Sequence, residues 1–443
     1  MPDIVTTRTF SDGEKGITAT KLNDIIGGAA IQTSFVSSKP VASSTAAGDN
    51  LLLLKSGGTY AQIDSSAFAS AMVPLLPDPN PNIWSVRLRS FNAVGNPTFE
   101  VAQRNCGSLL TNPGFVSVED RWWAAKSGAT NVDYQRLSTS TAAGSAIVLP
   151  GTNFALTTSL IRLTNKAVTS SLAASDQAGL LQQIEGIRFR ELSSDVHSMS
   201  LLVRSSVANL KFGIGVRDLS GSRSLCKLCQ LGAANTFTLI SLPNLPLFPP
   251  AGSFSMAAGA IGYSINITAA AGSTLTSPAN DTWQNSSFTA AIGQDNFCAQ
   301  PVGSTFDIAF VQHEPGALCS TLMDLPFTQN YDNCLRYFCK SYDYEVAPGS
   351  VSTLGMLSLM QQSTTAVNGP LRFPKALARL PTFTAYNHVT GAANSLRIAG
   401  NSYAVSSTDG LGKGGLDGLN TATLPAVVLG STAYCHYTAD TGW

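Results

Sequence analysis

Between Leu210 and Val216 every second residue is large and apolar, and the intervening face carries glycine at 213 and 215. A period of two marks a β-strand with one buried face. The same period returns in Phe237 and Leu239, in Tyr263, Ile265 and Ile267, and in Phe306, Ile308 and Phe310. The stretches DLSGSRS, PPAGS, AAAGSTLTSPAN and QPVGS separate these runs, as turns separate short strands. Many short strands without a convincing long helix predict a mainly β protein, with a jelly-roll β-sandwich over residues 84–327.

Charge narrows the function classes. Of 443 residues, 27 are basic and 27 acidic, or 12% charged, where an average domain carries about 25%. Without a cluster of Lys and Arg to neutralise phosphates, nucleic acid is excluded as a partner. No run approaches the ~18 apolar residues of a spanning helix, so membrane insertion is not expected. The opening MPDIVTTRTFSDGEKG has no apolar core and carries Asp3 early, so it does not read as a secretory signal. A neutral polar surface suits a long-lived structural or binding protein.

Residues 1–83 read as a separate small module. GITATKLNDIIGGAA carries a helix start at Thr18 or Thr20 and a stop at Gly27-Gly28. Leu51 to Leu54, a Ser56-Gly57-Gly58 turn and Thr59 to Ile63 predict a hairpin, followed by a short helical piece capped by Ser65 or Ser66. Alone this unit is too small to bury its apolar face, which predicts identical neighbours around an axis. Pro74, Pro77, Pro79 and Pro81 then form a stiff connector. Residues 328–443 read as a C-terminal β-sandwich, with strands in FPKALARLPTFTAYN, SLRIAGNSYAVSS and PAVVLGSTAYCHYTAD. Its closing strand, Ala433 to Ala439, is expected to pair at long range with a strand around Arg336 to Tyr342. Gly442 and Trp443 lie beyond that strand and are expected to be dispensable.

Several stretches resemble a family of phage tail-fibre and virion-fibre proteins. NPGFVSVEDRWWAAKSG, with Asp120-Arg121-Trp122, is similar to the family's opening. SMSLLVRSSVANLKFGIGVRDLSGSRS resembles its first jelly-roll hairpin. GSTFDIAFVQHEPG resembles its last sandwich strand, with Gln312, Glu314 and Gly316 in place and His313 where Leu is commoner. YDNCLRYFCKSYDY is similar to its Cys-x-Arg-Tyr junction, and LRFPKALARLPTFTAYNHVTGA and HYTADTGW resemble its C-terminal domain. The resemblance covers about residues 100–443. It implies a homotrimeric virion fibre, made in a bacterial cytoplasm, attached to other virion proteins of the tail, neck or portal region through its N-terminus. It also implies a jelly-roll module of the kind that binds carbohydrate, here a host cell-surface polysaccharide. A purely structural head, neck or collar fibre and a glycan-cleaving spike are the alternatives. A spike would show a repeat of 20–50 residues, which is lacking here.

The residues point away from catalysis, and no cofactor, metal site or catalytic residue is assigned. His197, His313, His388 and His436 lie outside any GxSxG and outside metal-ligand spacing; His313 and His436 read as satisfied structural histidines on strands. Asp343 and Glu345, two apart in SYDYEV, would share a strand face about 6.5–7 Å apart, within the inverting-glycosidase range. An ordinary half-exposed strand explains them better. Glu119 and Asp120 beside Arg121 predict a local ion pair in a turn. Cys226 and Cys229 form a CxxC without a partner motif, and Cys334 and Cys339 would face opposite sides of a strand; buried thiols are the expectation. TDGLGKGGLDGLN does not match a P-loop and reads as a turn. The sequons at Asn266 and Asn285 carry no weight without a secretory signal. Of the adjacent Trp122 and Trp123, one must face inward and one outward on a strand. The outward ring is expected against a neighbouring subunit or, second, a glycan.

Overall fold

The computed structural model describes residues 50–54, 60–64, 91–138, 146–322, 325–421, 424 and 431–443. The chain divides into two compact units, residues 1–87 and 88–443. In the first, β1 (Asn50–Leu54) pairs antiparallel with β2 (Tyr60–Asp64), Leu52 opposite Gln62. This is the hairpin that the apolar run and the glycine turn predict. The Thr18–Gly28 helix, the Ser65 piece and the proline connector lie outside the described residues.

The second unit opens with β3 (Val116–Glu119), β4 (Trp122–Ala124), β5 (Val132–Ser138), β6 (Ile147–Val148), β7 (Ala155–Thr157), β8 (Ser159–Asn165) and β9 (Gln177–Glu185). After helix α1 (Gly186–Phe189) come β10 (His197–Ser205), β11 (Lys211–Arg217), β12 (Ser224–Gln230), β13 (Thr238–Leu245), β14 (Ile261–Ala271), β15 (Trp283–Gln284) and β16 (Thr305–Pro315). One sheet runs β13-β10-β16-β8-β5 and the other β15-β12-β11-β14-β9-β4-β3. From β8 to β11 the chain changes sheet at every step, and again from β12 to β14, the connectivity of a jelly roll. One core fills the space between the sheets: Tyr134, Leu163, Leu201 and Phe306 from one face meet Trp122, Phe212, Ile214 and Ile265 from the other.

Both outer faces are partly covered. Over the five-stranded sheet, Ile147 of β6 and Leu156 of β7 pack on Leu160, Leu202 and Phe310. Over the seven-stranded sheet, the backbone of Thr289 to Ala291 lies directly on Gly213 and Gly215 of β11. A Cβ on Gly215 would stand 2.8 Å from the Thr289 carbonyl oxygen, and one on Gly213 would stand 2.7 Å from the Ala291 nitrogen. The alternation of apolar residue and glycine thus serves two packings, a core on one side and close backbone on the other.

After helix α2 (Phe327–Leu335) the remaining strands are β17 (Phe338–Lys340), β18 (Leu357–Gln361), β19 (Ala366–Arg372), β20 (Thr382–Tyr386), β21 (Ser395–Ile398), β22 (Asn401–Asp409), β23 (Gly415–Thr421) and β24 (Thr432–Asp440). They do not form two facing sheets. β24-β18-β19-β23-β22-β21 close into a ring, because the first half of β24 is flanked on both edges: Ala433 lies opposite Leu359 of β18 and Ile398 of β21. The second half of β24 runs on between β17 and β20, with Ala439 opposite Cys339 and Phe383. Ala433, Cys435, Tyr437 and Ala439 all point into the core of this part. A nine-residue strand long enough to serve two sets of neighbours turns the expected sandwich into a closed sheet. The expected long-range pairing of the closing strand occurs at Phe338–Lys340.

CLRYFCK is not a single strand. Its first half ends α2, where Asn330, Cys334 and Leu335 are buried at helical spacing; the alternation of Leu335, Tyr337 and Cys339 conceals that change of period. SLRIAGNSYAVSS is a hairpin, Ile398 opposite Asn401, with Ala399 and Gly400 both at positive φ (45° and 85°), the backbone of a tight two-residue turn. TDGLGKGGLDGLN is the hairpin joining β22 to β23. Replacing Gly215 by Ala forces the Thr289 backbone outward, and we expect a loss of about 1–3 kcal/mol, read as a lower denaturant midpoint. Unchanged stability would show that the covering segment yields freely.

Candidate functional site

The β3–β4 turn positions the side chains that matter. Arg121 sits at its apex with φ of 73°, and strand alternation then separates the tryptophans. Trp122 is fully buried, its Nε1–H donating to the Asn96 carbonyl at 3.0 Å. Trp123 faces outward, half-buried, stacked on Phe115 with ring centroids 5.3 Å apart and planes 18° apart. Phe115 lies two residues before Ser117, the partner of Trp123 across the ladder, so the rings form a diagonal cross-strand pair. It is 54% exposed.

This pair lines one part of a groove of about 820 Å³. β20 and β24 supply another part of its lining. Thr382, Thr384 and Tyr386 alternate along β20 with inward Phe383 and Ala385. The register sets Thr382 beside Asp440 and Thr384 beside Thr438, giving a row of hydroxyls ending in one carboxylate. Arg104 belongs to the same lining. Its guanidinium pairs with Asp440, donates to the Trp443 carbonyl at 3.0 Å and covers the Phe338 ring at 4.6 Å. Flat apolar faces and a polar row together, in a volume typical of small-molecule clefts, suit a ligand with both CH-rich faces and hydroxyl groups.

These parts of the lining come from different β bodies, so their spacing depends on the joint between them. Glu185, with a side chain of 0% exposure, accepts from Arg336 Nη2 at 2.6 Å and Nε at 3.0 Å, from the Tyr337 hydroxyl at 2.7 Å and from the Gly259 backbone at 2.7 Å. Burial alone would raise its pKa, but these donors prevail and hold it at about 2. Beside it Arg121 stacks on Tyr337, 3.7 Å above the ring, and Tyr337 stacks on Trp443 at 5.7 Å. Trp443 is fully buried, which overturns its expected dispensability. Nor does Arg121 pair with its neighbours: Asp120 accepts from the Gln103 backbone at 2.6 Å and Glu119 from that of Gly107 at 2.7 Å, while Arg121 reaches the Gln183 carbonyl. The turn is too tight to fold the guanidinium back onto its own carboxylates.

The other singled-out residues lie elsewhere. Asp343 and Glu345 are exposed on a turn in which the Val346 nitrogen donates to the Asp343 carbonyl, so they share no strand face; the bend toward Pro348-Gly349 breaks the alternation. Asn266 is buried within β14. Cys229 faces the core from β12, whereas Cys226 points to the other side; burial pushes both thiols up to about 12. Cys334 ends α2 and Cys339 lies on β17, both buried. His436 is held by the Ser341 hydroxyl and the Ser352 carbonyl and stacks on Tyr342.

His197 and His313, far apart in sequence, meet on neighbouring strands. Pro246 offers only a carbonyl oxygen, so His197 donates through Nε2 at 2.9 Å, and its Nδ1 accepts from His313 Nε2 at 2.8 Å. His313 Nδ1 in turn accepts from the Tyr263 hydroxyl at 2.6 Å. All four ring nitrogens are used, with both imidazoles neutral. Burial lowers His197 to about 4 and His313 well below its usual value.

No protein-family model and no curated protein matches the chain. Among solved structures it is similar to TmCBM61 in complex with beta-1,4-galactotriose, at 11% identity over 51% of this chain and 99% of that one, TM-score 0.23. It is similar to the family 11 carbohydrate-binding module of a cellulosomal cellulase of Clostridium thermocellum, at 12% identity over 49% and 98%, TM-score 0.24. It also resembles the enzymatically active domain of tailspike protein 4 of bacteriophage CBA120, at 12% identity over 51% and 21%, TM-score 0.23. At these scores the likeness carries no argument, and the architecture rests on the chain's own strand pairing.

Glu185→Gln leaves Arg336 without its counter-charge, and we expect it to destabilise the protein by about 3–5 kcal/mol at neutral pH. A carboxylate with a depressed folded pKa stabilises above the unfolded value of 4.5 and loses that contribution as pH falls toward 2. The gap in unfolding free energy between wild type and variant should therefore close over that window; a constant gap would contradict the assignment. Deleting Gly442 and Trp443 removes the ring between Tyr337 and Arg379. The expected cost is about 3–5 kcal/mol, as for a buried aromatic truncated in a core, measured by thermal denaturation.

Proposed function

We propose that the chain is a virion fibre whose groove at Trp123 holds a host-surface glycan. The single observation that carries the binding role is that the exposed Phe115, stacked on half-buried Trp123, lines one groove together with the Thr382–Asp440 row. The virion setting, a homotrimer and attachment through residues 1–83 rest on the resemblance of the quoted motifs to the fibre family. Exposed Val351, Leu354 and Met360 supply apolar surface of the kind that subunit contacts cover. The role is binding rather than cleavage. The groove lining holds one carboxylate, Asp440, already engaged by Arg104, whereas glycoside hydrolysis needs two.

Trp123→Ala tests the reading. On a glycan array probed with the full chain, we expect the variant to lose at least about tenfold in affinity, or ~1.4 kcal/mol, while light scattering gives three copies for both proteins. Loss of assembly with glycan binding intact would place the ring in a subunit contact instead. A wild-type protein that binds no glycan would favour a purely structural head, neck or collar fibre.

A further inference from the structure

Among glycans, the charges of the groove favour one kind, a preference that rests on the reading of the groove as a glycan site. The lining holds two guanidinium groups and one carboxylate: Arg104, Arg379 and Asp440. Arg104 is buried, with 7% exposure, and paired with Asp440. Asp440 acts on both guanidinium groups, so the three groups together leave one net positive charge, and Arg379 holds no carboxylate of its own. Its Nε donates to the Thr441 carbonyl at 2.6 Å and its plane lies 5.0 Å over the Trp443 ring, which orients the fork. Its two Nη atoms have no hydrogen-bond acceptor among the described residues, and it belongs to no ion pair there.

An oriented guanidinium with two open N–H ends is matched by a planar monoanion bound through both oxygens. A sugar hydroxyl would occupy one of those ends and leave the charge unanswered. A phosphomonoester brings more than one negative charge near neutrality, against a single net positive one, and a phosphodiester is a tetrahedral rather than a planar monoanion. We propose that the groove takes a carboxylate-bearing glycan, such as a hexuronate polymer, with a sugar ring on the Phe115–Trp123 stack and the carboxylate on Arg379. The chain as a whole has 27 basic and 27 acidic residues, so the preference is local. It should depend on salt only as one ion pair does, not as a multi-charge surface would.

The experiment uses the full chain, with calorimetric titration of oligosaccharides containing glucuronate, galacturonate or mannuronate. Each is compared with the same oligosaccharide after its carboxyl groups are reduced to primary alcohols. At least one acidic member should bind, and its reduced partner should bind about tenfold or more weakly. Arg379→Gln should erase that difference, so that acid and reduced partner bind with equal affinity. Arg379→Lys, which retains the charge without the fork, should keep part of it and guards against a folding defect in the Gln variant. Equal binding of acid and alcohol, a preference retained by Arg379→Gln, a stronger preference for sulfated sugars, or binding of neutral glycans alone would each overturn the inference. Trp123→Ala separates the two levels. If it weakens binding while Arg379→Gln changes nothing, only the acidic preference fails. If it changes no ligand's affinity, the groove is not the site.

Discussion

The buried contact of Glu185 with Arg336 and Tyr337 holds the rest of the structure in place. Glu185 closes β9 of the jelly roll, and Arg336 and Tyr337 follow α2 at the entry to the closed sheet. A carboxylate taken out of water is costly unless every lone pair finds a donor, and here four donors converge on it. The adjacent stack of Arg121, Tyr337 and Trp443 adds flat faces to that charged joint. Because the groove draws its lining from both sides, this joint fixes the distance between Trp123 and the β20–β24 row.

The same economy of charge recurs inside the jelly roll. Tyr263, His313 and His197 satisfy one another in a directed chain ending on the Pro246 carbonyl. Burial holds both rings neutral, and a proton added at His197 Nδ1 would also set it against the His313 Nε2–H. A sequence with 12% charged residues buries its polar groups through neutral ladders like this one. Its buried carboxylates with an arginine partner include Glu185 at the joint and Asp307, which Arg162 and Arg204 share.

Much of the fold was legible because β-structure writes itself as a period of two. The alternation through residues 210–216, the long-range pairing of the closing strand and the split of Trp122 from Trp123 follow from that period and hold in the structure. Local reading failed where the period changed without a breaker, as at Leu335 between α2 and β17, or where a bend interrupted an apparent alternation, as at Asp343 and Glu345.

The sequence by itself determined the strand-rich class, the inward and outward faces of individual strands, and the placement of one tryptophan in the core and one outside. Each of these depends only on how neighbouring side chains alternate along the backbone. Tertiary structure alone decided that β24 closes a ring, that Trp443 is buried, that His197 meets His313, and that Phe115, Trp123, Arg379 and Asp440 line one groove. Those facts depend on pairing register and on contacts between residues tens to hundreds of positions apart, which no local pattern of side chains encodes.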